Sequence, residues 1–424
     1  MRQGESGMGD TGGGTERLHH HRRAMGGRDP HEAHRVATPL ELLFDLTFVA
    51  AFAVAAAQLA HMLAAGHVGA GMLAFGIAGF AICWAWINFA WFASAYDTDD
   101  WLFRVITMIQ MAGVLLLSIG LPRLYASVEH GAHLDVGVMV AGYVVMRLAL
   151  VWQWLRAAKQ DRARAAIART YAGGIVAVQV GWIALAALDL PFGPAIAGFS
   201  LLALAEVVVP VIAERGTGGT PWHAHHIAER YSLFAIIALG EGIAGTIAAI
   251  GAVVEVQGWS LDAALVCLAG TGLTFGMWWV YYQVPTAEAL HAHRDRSFVW
   301  GYGHMLVIVA IVASGAGLHV AAYAIEHESR LGPVATILTT AVPVALFLAG
   351  NYSLYAWLVR RLDGFHVAML TATAAVLALA VVAAMAGLPM SWCLIVLTGA
   401  PLITVIGYEW RGYRDTAQAL HHDR

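Results

Sequence analysis

Charge is what this 424-residue chain has least of: Asp, Glu, Lys and Arg make up 12% of it, against 59% apolar residues and a mean hydropathy of +0.66. Soluble globular proteins carry about a quarter charged residues. Half that proportion excludes a water-soluble chain of this length, because too little polar surface exists to keep it dispersed. Lysine is nearly missing, with Lys159 alone against 23 arginines. Cysteine is scarce too. Cys83, Cys267 and Cys393 stand singly inside apolar segments, which excludes a disulfide framework and a structural zinc site. The formal charge of -4 and a pI near 6.6 exclude the basic excess expected of a nucleic-acid-binding protein.

What the chain has in abundance is long apolar runs. Twelve follow Pro39, near 40–64, 68–95, 101–121, 136–156, 169–189, 193–213, 227–252, 261–284, 297–321, 333–358, 365–387 and 390–408. Each approaches the roughly 20 residues that cross a bilayer as a helix. Helices are the assignment because an open strand leaves its backbone unsatisfied in lipid. The sequence therefore predicts an all-α, polytopic membrane protein with about twelve spanning helices. The expected divisions are a disordered tail over 1–37, six-helix halves over 38–214 and 215–410, and a C-terminal tail over 411–424. The tail before the first run has no short apolar core with a cleavage pattern, so it is not read as a signal peptide.

Positive charge sets the orientation. With alternate connections on one side, 21 of the 24 Lys and Arg fall on the side of the N-terminal tail. Arg123 and Arg330 lie opposite, and Arg147 sits inside the fourth run. Both termini are expected in the cytosol. A weak internal repeat supports two parallel halves: Trp152-Gln153-Trp154-Leu155 matches Tyr355-Ala356-Trp357-Leu358, and Glu206 matches Glu409 at the same offset. Trp84 and Trp86 likewise echo Trp278 and Trp279.

Ionisable groups inside a bilayer are costly, about 2.5–3.5 kcal/mol each on insertion scales, so each one needs a reason. Glu41 follows Thr38 by three residues in a capping-box pattern, with Pro39 at the first helical position. Asp45 lies one turn deeper, where capping does not explain it. Glu241, between Gly240 and Gly242, falls near mid-membrane and is the foremost candidate, with neutralisation by Arg147 as its structural alternative. Glu206 is placed to balance Arg147, and His304 to relay protons or to fill a hydrogen-bonded core position. Asp97 to Arg104 form an acidic elbow. Asp97 and Asp100 are weak metal candidates there, set against a helix cap with ion pairs to Arg104. Glu229 and Arg230 open the seventh run. No cofactor is expected.

Thr38-Pro39-Leu40-Glu41-Leu42-Leu43-Phe44-Asp45-Leu46-Thr47-Phe48-Val49, the Trp84–Asn88 segment, the Asp97–Arg104 elbow and His226-x-x-Glu229-Arg230-Tyr231 running into Leu239-Gly240-Glu241 together resemble the bacterial low temperature requirement protein A family, LtrA. The resemblance covers residues 35–410, with Tyr231 where Phe is expected. It implies a multi-pass protein of the bacterial plasma membrane and marks Glu41, Asp45, Asp97, Arg104, Glu229, Arg230 and Glu241 as a set without assigning their roles. The leading expectation is a secondary transporter of a small solute, proton-coupled through Glu241 and Asp45, with Arg104 or Arg147 meeting an anion. The Gly-x-x-x-Asp-Arg turn of major-facilitator proteins is missing. The alternatives are an intramembrane enzyme acting on a lipid or isoprenoid, with Asp45 or Glu241 as general acid, and a non-catalytic scaffold. Expected partners are the lipid bilayer and an unidentified small solute or lipid.

Overall fold

A computed structural model describes residues 23–30, 32, 35–216, 218–360 and 364–412. The rest of both tails, including 413–424, lies outside the described residues. Thirteen α-helices follow in order: α1 Pro39–Ala64, α2 Val68–Tyr96, α3 Trp101–His130, α4 Gly137–Gln160, α5 Ala165–Ala187, α6 Phe192–Ala213 and α7 Ala224–Gln257. Then come α8 Leu261–Tyr282, α9 Thr286–Ala292, α10 Ser297–Ile325, α11 Pro333–Val359, α12 Gly364–Met385 and α13 Met390–Gly407. All but the short α9 are long and apolar enough to cross a membrane, twelve in total among the described residues. No strand occurs among those residues, only an isolated bridge between His133 and Pro191.

Local chemistry explains the ends. Thr38 caps α1 in the expected box: its Oγ accepts from the Glu41 N–H at 3.3 Å while the Thr38 N–H donates to Glu41 Oε2 at 2.8 Å. Asp100 caps α3 through the Phe103 N–H at 2.8 Å. Helix α3 runs well past the apolar stretch that ends near 121, because Pro122 and the polar residues after it continue the same helix to a left-handed Gly131. At 34 residues, α7 also exceeds a bilayer's thickness.

The outer face carries exposed apolar residues such as Leu115, Ile119, Val180, Leu201, Ile247 and Leu268. Water would not tolerate so continuous an apolar surface, and lipid does. Trp101, Trp259 and Trp410, all exposed, stand at or near helix ends, where indoles favour the lipid–water boundary.

Within the bundle, α3 packs closely on α4 and α4 on α5, as α10 packs on α11 and α12 on α13. The contact between the first six helices and the rest runs through α1 and α2 against α7 and α10. Two close approaches depend on glycine. A Cβ at Gly142 of α4 would lie 2.4 Å from the Leu117 backbone nitrogen of α3, and one at Gly315 of α10 would lie 2.5 Å from the Glu241 carbonyl carbon of α7. Of the expected disordered tail, residues 25, 28 and 35 are tied to helix ends. Arg28 N–H donates to the Ala95 carbonyl at 2.9 Å, Met25 N–H to Gln160 Oε1 at 2.5 Å, and the Arg35 guanidinium to the carbonyls of Ala93 (2.6 Å) and Ser94.

Candidate functional site

The starts of α1 and α7 and the end of α2 lie together. Glu41 and Asp45 are one turn apart on α1, and His226 and Arg230 one turn apart on α7, so each pair shares a helix face. Facing each other, they form a fully buried ion cluster. Arg230 Nη1 donates to Glu41 Oε1 at 2.7 Å and Nη2 to Asp45 Oδ1 at 2.5 Å. His226 Nε2 lies 3.3 Å from Glu41 Oε2, and the Trp86 indole N–H donates to Asp45 Oδ1 at 2.7 Å. Trp86 stacks on Phe234 at 4.1 Å, and the guanidinium lies 5.6 Å from the indole centroid. Two carboxylates share one arginine, and Asp45 Oδ2 has no hydrogen-bond partner.

A second buried cluster lies deeper. Glu206 of α6 receives Arg147 Nη2 at 2.5 Å from α4, Trp84 Nε1 at 3.0 Å from α2, and Gln179 Nε2 at 3.0 Å and Trp182 Nε1 at 3.3 Å from α5. Four donors on three helices converge on one carboxylate. Arg147 Nε and Nη1 have no hydrogen-bond partner.

Glu241 joins neither cluster. It lies midway along α7, 6% exposed and packed backbone-to-backbone against Gly315. Among the described residues its carboxyl has no hydrogen bond or ion pair. The neutralisation by Arg147 weighed from sequence does not occur, because Arg147 is taken by Glu206. Asp45, Glu206 and Glu241 therefore do not meet: Asp45 shares Arg230 with Glu41, Glu206 holds Arg147, and Glu241 stands alone.

His304 on α10 has Nδ1 2.8 Å from the Trp300 carbonyl, which can only accept, so the proton sits on Nδ1, and its Nε2 is without a partner. Its ring lies 5.1 Å from Tyr231 and 6.0 Å from Tyr281. Glu229 faces away from the buried clusters, into an open cleft of about 390 Å3 with Arg35, His225, Tyr282 and Glu288.

The acidic elbow divides as well. Arg104, exposed, pairs with Asp99 at 2.8 Å. Asp100 is buried with Arg156, which also donates to the Arg23 carbonyl at 2.8 Å. Asp97 accepts the Asp99 N–H at 2.8 Å in an Asx turn, which lets Asp99 hold a φ of 45°. So Asp97 and Asp100 face different partners, and no group of three or more His, Cys, Asp or Glu that could hold a metal occurs among the described residues.

Burial, reinforced by the nearby Glu41 charge, pushes the Asp97 carboxyl from its ordinary 3.8 up to about 6. Below about pH 4 it is protonated folded and unfolded alike, and its burial costs nothing extra. As pH rises through about 6 the folded state must ionise it against that burial, and stability is lost. Asp97→Asn keeps the acceptor for Asp99. The variant should match the parent protein near pH 4 and exceed it above pH 6 by about 1–3 kcal/mol, read by thermal unfolding in detergent across that range. A difference that does not change with pH would contradict this.

Trp84, Trp86, His226, Arg156 and Glu214 are polar anchors that the sequence reading did not place. The available signal was the Trp84-x-Trp86 spacing. Two residues apart on a helix, the indoles point to nearly opposite faces, and each buried N–H requires an acceptor. Here they find Glu206 and Asp45.

A profile of bacterial low temperature requirement A proteins (LtrA) matches residues 36–400 of the chain. An uncharacterized protein of Rhizobium meliloti (strain 1021) is 29% identical over 156 residues, covering 34% of this chain and 35% of the relative. The match thus spans about a third of that relative's length. No solved structure matches the chain.

Proposed function

The chain belongs to the bacterial low temperature requirement A family, and from that premise we propose that it is a secondary transporter of a small solute, coupled to protons through Glu241. The observation that carries this reading is the isolation of Glu241. Among the described residues, the other buried carboxylates within the spanning helices, Glu41, Asp45 and Glu206, have an arginine each or in common, and those contacts explain why they are there. Glu241 has no such account. An ionised carboxylate there without donor or cation would bear the full cost of desolvation, so the residue is suited to carry a proton.

The rest of the architecture fits around that role. The tail side is taken as cytosolic, in the plasma membrane, on the strength of the arginine bias. The halves over 38–214 and 215–410 are taken as parallel repeats, supported by a recurring pair: Trp84 donates to Glu206, and Trp279 donates to Glu409 at 3.3 Å. On this view the Glu41/Asp45/Arg230 cluster closes the cytosolic side, because it ties α1 of one half to α7 of the other. Asp45 then serves the closure rather than the proton.

The test needs no identified substrate at its first step. A hydrophobic carbodiimide reacts with protonated carboxyl groups in apolar surroundings. Peptide mass spectrometry of the labelled protein should find the adduct at Glu241 and not at Asp45 or Glu206. In vesicles carrying a pH-sensitive dye, a panel of small solutes should drive proton movement that Glu241→Gln abolishes. Proton movement unchanged by Glu241→Gln would sink the coupling role, and substrate turnover without any gradient would place the protein among enzymes instead.

A further inference from the structure

Beside the face of α7 that carries His226 and Arg230 runs a second polar face. His225, Glu229 and Ser232 recur there at the spacing that puts side chains on one side of a helix. Helix α8 ends at Tyr282, and the chain turns back through Val284 and Pro285 into α9, which brings Glu288 to the same place. Between these elements lies the open cleft of about 390 Å3. Its size is within the roughly 300–1,000 Å3 of small-molecule sites. It opens on the side taken as cytosolic, next to the contact that ties α1 to α7.

We propose that this cleft binds a small aliphatic diamine, a short methylene chain with a primary ammonium at each end. This names the solute class of the transport reading and, as a solute class, rests on it. Three observations converge. First, two carboxylates on different elements line the cleft, Glu229 of α7 and Glu288 of α9. Glu229 accepts the Ala37 N–H, and neither carboxylate forms an ion pair among the described residues. Second, Tyr281 is 5% exposed, its side chain lines the cleft, and its hydroxyl has no hydrogen-bond partner among the described residues. A polar group so buried normally has a partner, and a bound N–H would supply it. Third, the Tyr281 and Tyr282 rings lie 5.4 Å apart at 62°, with Tyr282 held by its hydroxyl donating to the Ser232 carbonyl at 2.6 Å. Ring faces attract cations and cover methylenes.

Arg35 reaches the same cleft without opposing a cation there. Its guanidinium is taken up by the Ala93 and Ser94 carbonyls, and the Glu32, Glu41 and Asp97 charges lie around it. The number and kind of acceptors narrow the ligand further. Two carboxylates on separate elements call for two positive ends, and a single ammonium would leave one of them unanswered. A primary ammonium carries three N–H donors, which the carboxylates, the Tyr281 hydroxyl and a His225 ring nitrogen can accept. A quaternary ammonium has none.

The probe is 1,4-diaminobutane, measured by equilibrium dialysis with the full chain in phosphatidylcholine nanodiscs and with empty discs as the baseline. It should bind saturably. Three relatives should bind at least tenfold more weakly: 1,4-butanediol, which lacks the charge, n-butylamine, which has one end only, and the fully N-methylated diamine, which has no N–H. Glu229→Gln and Glu288→Gln should each weaken the diamine at least tenfold, and Tyr281→Phe, which keeps the ring, should weaken it too. Glu288 is exposed, so its substitution leaves the fold intact, and Glu288→Asp keeps the charge and should keep saturable binding. No saturable binding of the diamine, equal binding of any of the three relatives, or full binding by the double variant Glu229→Gln, Glu288→Gln would overturn the proposal. Diamine binding without proton movement in the vesicle assay would sink the coupling through Glu241 and leave the site standing. Proton movement with another solute and no diamine binding would do the reverse.

Discussion

Arg230→Met is expected to cost about 3–5 kcal/mol, the usual consequence of removing one partner from a buried ion cluster. Glu41 and Asp45 are both inaccessible to solvent, and after the substitution they face each other with only the His226 and Trp86 N–H groups between them. Arg230→Lys should recover only part of the loss. A planar guanidinium reaches Glu41 through Nη1 and Asp45 through Nη2 at once, whereas an ammonium is a single point of charge. The triple variant Glu41→Gln, Asp45→Asn, Arg230→Met removes every charge together and should regain most of the stability. The measurement is the fraction of protein that remains monodisperse in detergent after heating. If Arg230→Met alone survives as well as the parent protein, the cluster is not what ties α1 to α7.

The second large effect is at Glu206. Glu206→Ala strips the acceptor from Trp84, Gln179 and Trp182 and leaves Arg147 charged, 1% exposed and without a partner. The expected loss is again about 3–5 kcal/mol. Glu241→Gln in the same assay should stay within about 0.5 kcal/mol of the parent protein, since no ion pair or hydrogen bond is broken. The contrast separates carboxylates that hold the bundle from one that is held for use. Should Glu241→Gln prove as damaging as Glu206→Ala, Glu241 would belong with the structural groups, and the proton reading would fall with it.

The pairing of Arg147 with Glu206 was open in sequence, because the fourth and sixth runs each carry one unmatched charge, but Glu241 was an equally good partner on paper. The capping box at Thr38 was legible because it is local: both hydrogen bonds join residues three apart. Arg104 was read as the elbow's ion-pair centre, and it does meet Asp99. Asp100, however, turns inward to Arg156, a residue 56 positions on, and nothing in the local sequence announces that choice. The hydrogen bonds of Met25, Arg28 and Arg35 were not legible in the sequence for a similar reason. Their partners are backbone carbonyls at the end of α2, which every helix end offers, and the Gln160 side-chain amide at the end of α4, which no local pattern marks.

The chain's own order of residues determined that this is an all-helical membrane protein. Twelve runs of about the bilayer's thickness with so few charges leave no other way to satisfy the backbone. It also determined which residues had to be explained, since each buried charge announces itself against an apolar background. Only the tertiary structure decided which charge answers which. Helix neighbours in a bundle are set by side-chain fit and by close approaches such as Gly315 against Glu241, and those depend on shapes distant in sequence. That is why buried acids of the same kind end in a closed ion cluster at Arg230, a saturated carboxylate at Glu206 and a solitary one at Glu241.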